Sequence, residues 1–174
     1  MTSEEALRIR GYLTAQGAKL SPEQLIGKVE EAMARLREAA TAVPAARFTD
    51  PPAPGEWSAN EVMAHVVEAD RRFGGAIVRL LDGIPGGGVR DQLERDVPRR
   101  SASEWWATLN EDRAALFARV GAADPQSALE ATVEHPFFGP LNWRETLLFM
   151  RLHDLDHAGQ LQKIAAALAV GHPA

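Results

Sequence analysis

Apolar residues recur along this chain at helical spacing in four long runs, and each run opens on the same short signal. In the first, Leu25, Val29, Ala32, Leu36, Ala39 and Val43 follow one another at intervals of four, three, four, three and four. That is the seam of a helix packed in a bundle. Ser21-Pro22-Glu23-Gln24 begins it with an N-cap serine, a proline at the first helical position and a glutamine at the third, and Pro44 stops it. The second run, Val62, Val66, Ala69, Phe73, Ile77 and Leu80, starts from Ser58-Ala59-Asn60-Glu61. The third, with Trp105, Leu109, Leu116, Phe117 and Val120, starts from Ser101-Ala102-Ser103-Glu104 and closes at Gly121. The fourth starts from Asn142-Trp143-Arg144-Glu145 and carries Thr146, Phe149, Met150, His153, His157, Leu161, Ile164 and Leu168 on one stripe. A shorter helix, capped by Thr2-Ser3-Glu4-Glu5, is expected from Ser3 to about Gln16, ending near Gly17. Its apolar face is thin (Leu7, Tyr12, Leu13), so it reads as an accessory packed on something larger.

The pattern predicts an all-α protein: a four-helix up-and-down bundle with an additional short N-terminal helix. The main helices begin near Pro22, Ala59, Ala102 and Trp143. The chain reads as a single domain over 1–174, with its core at about 22–169 and the accessory helix at 3–17. Between the helices, Asp50-Pro51-Pro52-Ala53-Pro54-Gly55 is too proline-rich for helix or central strand and reads as a rigid connector in preference to a proline ligand for an SH3-type partner. The stretch from Asp82 to Arg100, with Gly86-Gly87-Gly88, is a crossing or lid loop; it has neither the lysine nor the preceding strand of a phosphate-binding loop. Ala131-Thr132-Val133-Glu134-His135-Pro136-Phe137-Phe138-Gly139-Pro140 has the β-branched centre and turn residues of a brief hairpin.

Composition narrows the chemistry. The 174 residues suffice for one real core, and a formal charge of −5 argues against a nucleic-acid-binding surface. There is no cysteine, which removes disulfides, iron–sulfur clusters and a thiol nucleophile. Any metal must be held by His, Asp, Glu, carbonyls or water. No run approaches a membrane span and Met1-Thr2-Ser3-Glu4-Glu5 does not look like a signal peptide, so a cytoplasmic location is expected.

Within the fourth helix, His153 and His157 stand one turn apart, roughly 40° around the axis and about 6 Å along it. Two imidazoles so placed can turn onto one ion, but the spacing alone is a weak signal and needs a third ligand. Both lie on the apolar stripe, where an unsatisfied imidazole is costly. His65 lies on the inner edge of the second helix. It is about 10 Å from that helix's start, against about 17 and 22 Å for His153 and His157. Helix lengths alone leave open whether the three meet.

Taken together, Trp57-Ser58 leading to His65, His135-Pro136-x-x-Gly139, and His153-x-x-x-His157-x-Gly159-Gln160 resemble the DinB/YfiT-like superfamily, over roughly Pro22 to Ala169. The resemblance implies a bundle that holds one divalent transition metal (zinc, nickel or iron) on His65, His153 and His157. It also implies a small-molecule substrate, a low-molecular-weight thiol such as mycothiol or bacillithiol as co-substrate, and a homodimer. The expected function is a metal-dependent enzyme such as a small-thiol S-transferase or a hydrolase. The alternative is a non-catalytic metal-binding or stress-response interaction protein on the same fold. Neither a nucleic acid nor a membrane is expected as a partner.

Around such a centre Glu68 is a general-base candidate, Gln160 a candidate for bonding a ligand or a bound water, and Arg72 a candidate for an anionic substrate group. Asp156 reads as solvated, Glu61 as the capping-box partner, and His135 as a loop-packing residue. Trp57, Trp105, Trp106 and Trp143 read as core or seam packing.

Overall fold

The computed structural model describes residues 2–87 and 96–170. The later part of the glycine-rich connector, with Gly88, and the tail, with His172, lie outside the described residues. The elements are α1 (Ser3–Lys19), α2 (Pro22–Ala42), α3 (Ala59–Leu81), α4 (Ala102–Gly121) and α5 (Trp143–Val170), with β1 (Val133–His135) and β2 (Gly139–Leu141) just before α5. The two strands pair antiparallel as a hairpin.

The helix starts sit where the capping signals put them. Ser21, Ser58 and Ser101 each accept a hydrogen bond from the third backbone N–H of their helix, while Gln24, Glu61 and Glu104 reach back to the cap N–H. At α5 the Asn142 side chain accepts from the N–H groups of Arg144 and Glu145. α1 runs past its expected end. Gly17 is a point of close approach, where a Cβ would lie 3.3 Å from Glu145 Cγ, so glycine lets α1 lie flat on α5. The buried Arg144 guanidinium then donates to the carbonyls of Gly17 (2.6 Å), Pro125 (2.6 Å) and Leu20, satisfying the end of α1.

α2–α5 form the expected four-helix bundle, but the directions of α4 and α5 differ from an up-and-down path. α2 and α5 are parallel: Arg144 meets Leu20 at their starts, and Arg47, just after α2, donates to the Leu168 carbonyl at 2.9 Å. α3 and α4 are also parallel, since Trp105 Nε1 donates to Asn60 near both starts (2.9 Å) and Arg119 pairs with Asp82 near both ends (2.7 Å). α3 runs against α5, with Phe73 beside Phe149 and His65 beside His157. The directions are therefore up, down, down, up. Around the bundle the order is α2, α5, α3, α4, so α3 neighbours α5 and α2 faces α3 only across the diagonal. An amphipathic stripe reads the same in either direction. The connector after α3 decides the matter, because at about 3.3 Å per residue it can return the length of a roughly 35 Å helix.

The core falls into two apolar clusters. One gathers Leu25, Val29, Phe73, Ile77, Leu116 and Leu147 with the hairpin; the other gathers Leu36, Val62, Met63, Leu109, Leu161 and Leu168 at the opposite end. Between them lies a polar layer. Arg113 of α4 is buried and pairs with Asp154 of α5 through two bonds of 3.1 Å and with Asp70 of α3 through its Nε. Three helices are thus tied at one depth.

Candidate metal centre

His65 stands two turns into α3, facing the middle of α5. His153 Nε2 lies 3.2 Å from His65 Nε2 and 3.1 Å from His157 Nε2. Among the described residues these three form a group whose nitrogens all lie within 4.8 Å of one another. They meet although their distances from their helix starts differ, because α5 (28 residues) is longer than α3 (23 residues) and runs against it. The far half of α5 overlaps the first turns of α3.

The donor set fits a transition metal. Bonds of about 2.0–2.1 Å at tetrahedral angles place neighbouring nitrogens roughly 3.3 Å apart, close to the spacings here. The imidazoles also present lone pairs. Gln160 Oε1 lies 2.9 Å from His157 Nδ1, so that nitrogen carries the proton and Nε2 is left as the donor atom. His153 is held well below the ordinary histidine range, first by burial, then by its neighbours His157 and His65, with Arg113 and Arg72 adding to the effect. It is neutral at any physiological pH, as a ligand must be. Three imidazoles with no thiolate suit zinc, nickel or iron.

The cluster forms the wall of an open cleft of about 730 Å³. Trp57 meets His65 edge-on at 5.3 Å between ring centroids, and Gln160, Lys163, Glu56 and Asp156 complete the polar lining. The cluster is therefore closed on its protein side by three histidines and accessible on the other.

The other sequence candidates are placed as follows. Glu68 is exposed and forms a 3.0 Å ion pair with the half-buried Arg72, and neither residue lines the cleft. Arg72 nevertheless comes near enough to His153 for its charge to act there. Gln160 holds His157. Asp156 is exposed on the cleft rim, and Glu61 bonds the Ser58 N–H at 2.8 Å as the capping partner. His135 belongs to the hairpin, where its Nδ1 accepts the Phe137 N–H at 3.2 Å and its ring stacks on Phe138.

Sequence reasoning missed two features. Trp57, whose sequence context reads as packing, lines the cleft. The Asp70–Arg113–Asp154 layer was missed altogether, although Arg113, between Leu109 and Leu116 on a buried seam, was a readable signal: a charge at a core position implies a partner. Burial raises both carboxyls, Asp154 to about 6. Burial works against the Arg113 charge, but Asp154 and Asp70 outweigh it and hold the guanidinium above its ordinary value.

The sequence model of the DinB superfamily matches residues 28–161. No curated protein matches the chain. Among solved structures, YfiT from Bacillus subtilis superposes with a TM-score of 0.69 at 17% identity, over 87% of this chain and 91% of that one; it is described as a probable metal-dependent hydrolase with an unusual four-helix bundle topology. TT2238, a four-helix bundle protein, superposes with a TM-score of 0.61 at 26% identity, over 82% of this chain and 99% of that one.

Proposed function

The chain belongs to the DinB superfamily, and from that premise we propose that it is a metal-dependent enzyme whose divalent ion is held by His65, His153 and His157. One observation carries the reading: three imidazole Nε2 atoms from two helices converge at metal-chelating distances on the wall of an open cleft. Bound there, such an ion supplies Lewis acidity and lowers the pKa of a water or small thiol beside it. The protein's own groups do the rest. Gln160 keeps the His157 proton on Nδ1. Trp57 covers one side of His65 and keeps water from it. Lys163 gives the cleft a positive charge for an anionic substrate group. Glu68, paired with Arg72 and outside the cleft lining, is not assigned a part in the reaction.

The reaction is nucleophilic addition or hydrolysis, with a small thiol as the preferred co-substrate. A probable metal-dependent hydrolase among the fold neighbours favours the same class. A homodimer is part of the proposal: Met33, Trp106 and Phe117 leave an apolar groove between α2 and α4, and light scattering should return about twice the chain mass of 18.9 kDa. The deciding experiment uses tag-free protein loaded with zinc, nickel or iron, assayed with esters, and with small thiols plus monochlorobimane. Metal-dependent turnover of either class supports the enzyme. Stoichiometric metal without turnover points to the non-catalytic metal-binding protein, and no stoichiometric metal ends both readings.

A further inference from the structure

A second cleft, of about 770 Å³, opens beside the histidine cluster and shares two of its residues, His153 and Asp156. The two clefts thus adjoin at His153 and Asp156, which line both. Their linings differ in kind. The first lobe holds Lys163, Gln160 and Glu56. The second is walled by Phe73, Phe138, Phe149 and His135, and its acidic rim is Glu5 and Asp156, with no lysine or arginine among the described residues.

The aromatic walls are mutually braced. His135 stacks on Phe138 at 4.5 Å between centroids, Phe149 meets His135 at 4.4 Å and Phe73 at 4.9 Å, both near T-shaped, and Phe73 and Phe149 each stand 6.1 Å from the His153 ring. Rings held at fixed angles offer edges and faces to one more ring at little entropic cost. At the mouth, Phe137 is 64% exposed, at the hairpin turn and 6.5 Å from Phe138. Packing alone would explain the inner rings. It does not explain an open volume beside them, nor an aromatic ring left in water at its entrance.

We propose that this second lobe is the subsite for a flat apolar group, an aryl ring, at one end of the substrate. The inference rests on the reading of the histidine cluster as a metal centre. Among the described residues the rim of this lobe offers an anion no cationic partner, whereas the other lobe offers Lys163 beside Glu56 and Asp156, so a charged end of the substrate belongs there. The substrate is therefore two-ended: polar or anionic on one side of the centre, aromatic on the other.

The test uses two chelating probes on zinc-loaded protein, acetohydroxamate and hydrocinnamohydroxamate, titrated calorimetrically. The aryl probe is expected to bind at least about tenfold more tightly, the gain from burying a phenyl ring. Phe149→Ala, and Phe137→Ser at a position too exposed to be needed for folding, should each reduce that preference while leaving zinc stoichiometry and acetohydroxamate affinity unchanged. Equal affinities for the two probes, or a preference indifferent to both substitutions, overturn the subsite while the metal centre stands. Should zinc fail to bind at all, hydrocinnamyl alcohol, which has no chelating group, is followed by saturation-transfer NMR on the metal-free protein. Contact that is weakened by Phe149→Ala upholds the aromatic lobe, and no such contact overturns it.

Discussion

At the scale of single residues, the three histidines act as one unit because each nitrogen depends on the position of the other two. Replacing His65, His153 or His157 with Ala should cut metal occupancy at least tenfold, whereas His135→Ala should leave it intact, since that ring is committed to the hairpin. Elemental analysis after dialysis reads the difference, and full occupancy in any of the three variants would remove that residue from the ligand set. Gln160→Leu deprives His157 of the acceptor that fixes its tautomer. Metal affinity should fall about ten- to a hundredfold, with the fold unchanged, as competition against a fluorescent chelator would measure. That His153 and His157 share one face was legible in their spacing, a weak signal by itself; His65 joined them only through the family resemblance, and the structure brings all three together. The role of Gln160 was only half legible: the spacing of three from His157 placed it on the right face, but not which atom it would bond. Trp57 was the opposite case. A tryptophan before a helix cap reads equally as packing or as cleft wall, and only the position of the connector that carries it decides.

At the scale of the elements, the register between helices is set by the layer of Asp70, Arg113 and Asp154. Arg113→Ala leaves two buried carboxylates without a counter-charge and should cost about 3–5 kcal/mol, read by urea denaturation; a loss below about 1 kcal/mol would show that the layer is solvated. The layer has a pH signature. Asp154 titrates at about 6 in the folded protein against about 3.9 in an unfolded chain. The folded state thus takes up this proton first as pH falls, so this group makes the protein more stable between about pH 6 and pH 4, by up to roughly 3 kcal/mol. The same contribution is lost as pH rises through 6. Asp154→Asn, which cannot titrate, should lack it. The stability of the parent relative to that variant should therefore rise as pH is lowered from 7 to 4, and a difference independent of pH would contradict the burial argument. Helix boundaries were legible to within a residue or two for α2 to α5, because capping boxes are local chemistry. The directions of α4 and α5 were not, since they depend on the path of a connector whose glycines fix neither its length in space nor its destination.

At the scale of the molecule, the question is whether the metal holds the bundle together or is held by it. Two apolar clusters lie on either side of the polar layer, and the Asp–Arg–Asp contacts already tie α3, α4 and α5 at the depth of the histidines. Arg144 and Glu145 fasten α1 to the start of α5 independently. The metal would add a link between α3 and α5 alone, and those helices are already neighbours. The apo-protein should therefore stay folded at room temperature, with unchanged far-ultraviolet circular dichroism after chelation. Binding to the folded state still adds stability by mass action, about 4 kcal/mol at a free metal concentration of about a thousand times Kd. For a chain of this size that corresponds to a Tm higher by roughly 10 °C. The increment should vanish in His65→Ala, which removes the α3 contribution while leaving both clusters and the polar layer in place. Unfolding on chelation would mean that the two clusters are insufficient without the metal. A Tm shift that survived in His65→Ala would mean that the ion binds elsewhere on the bundle.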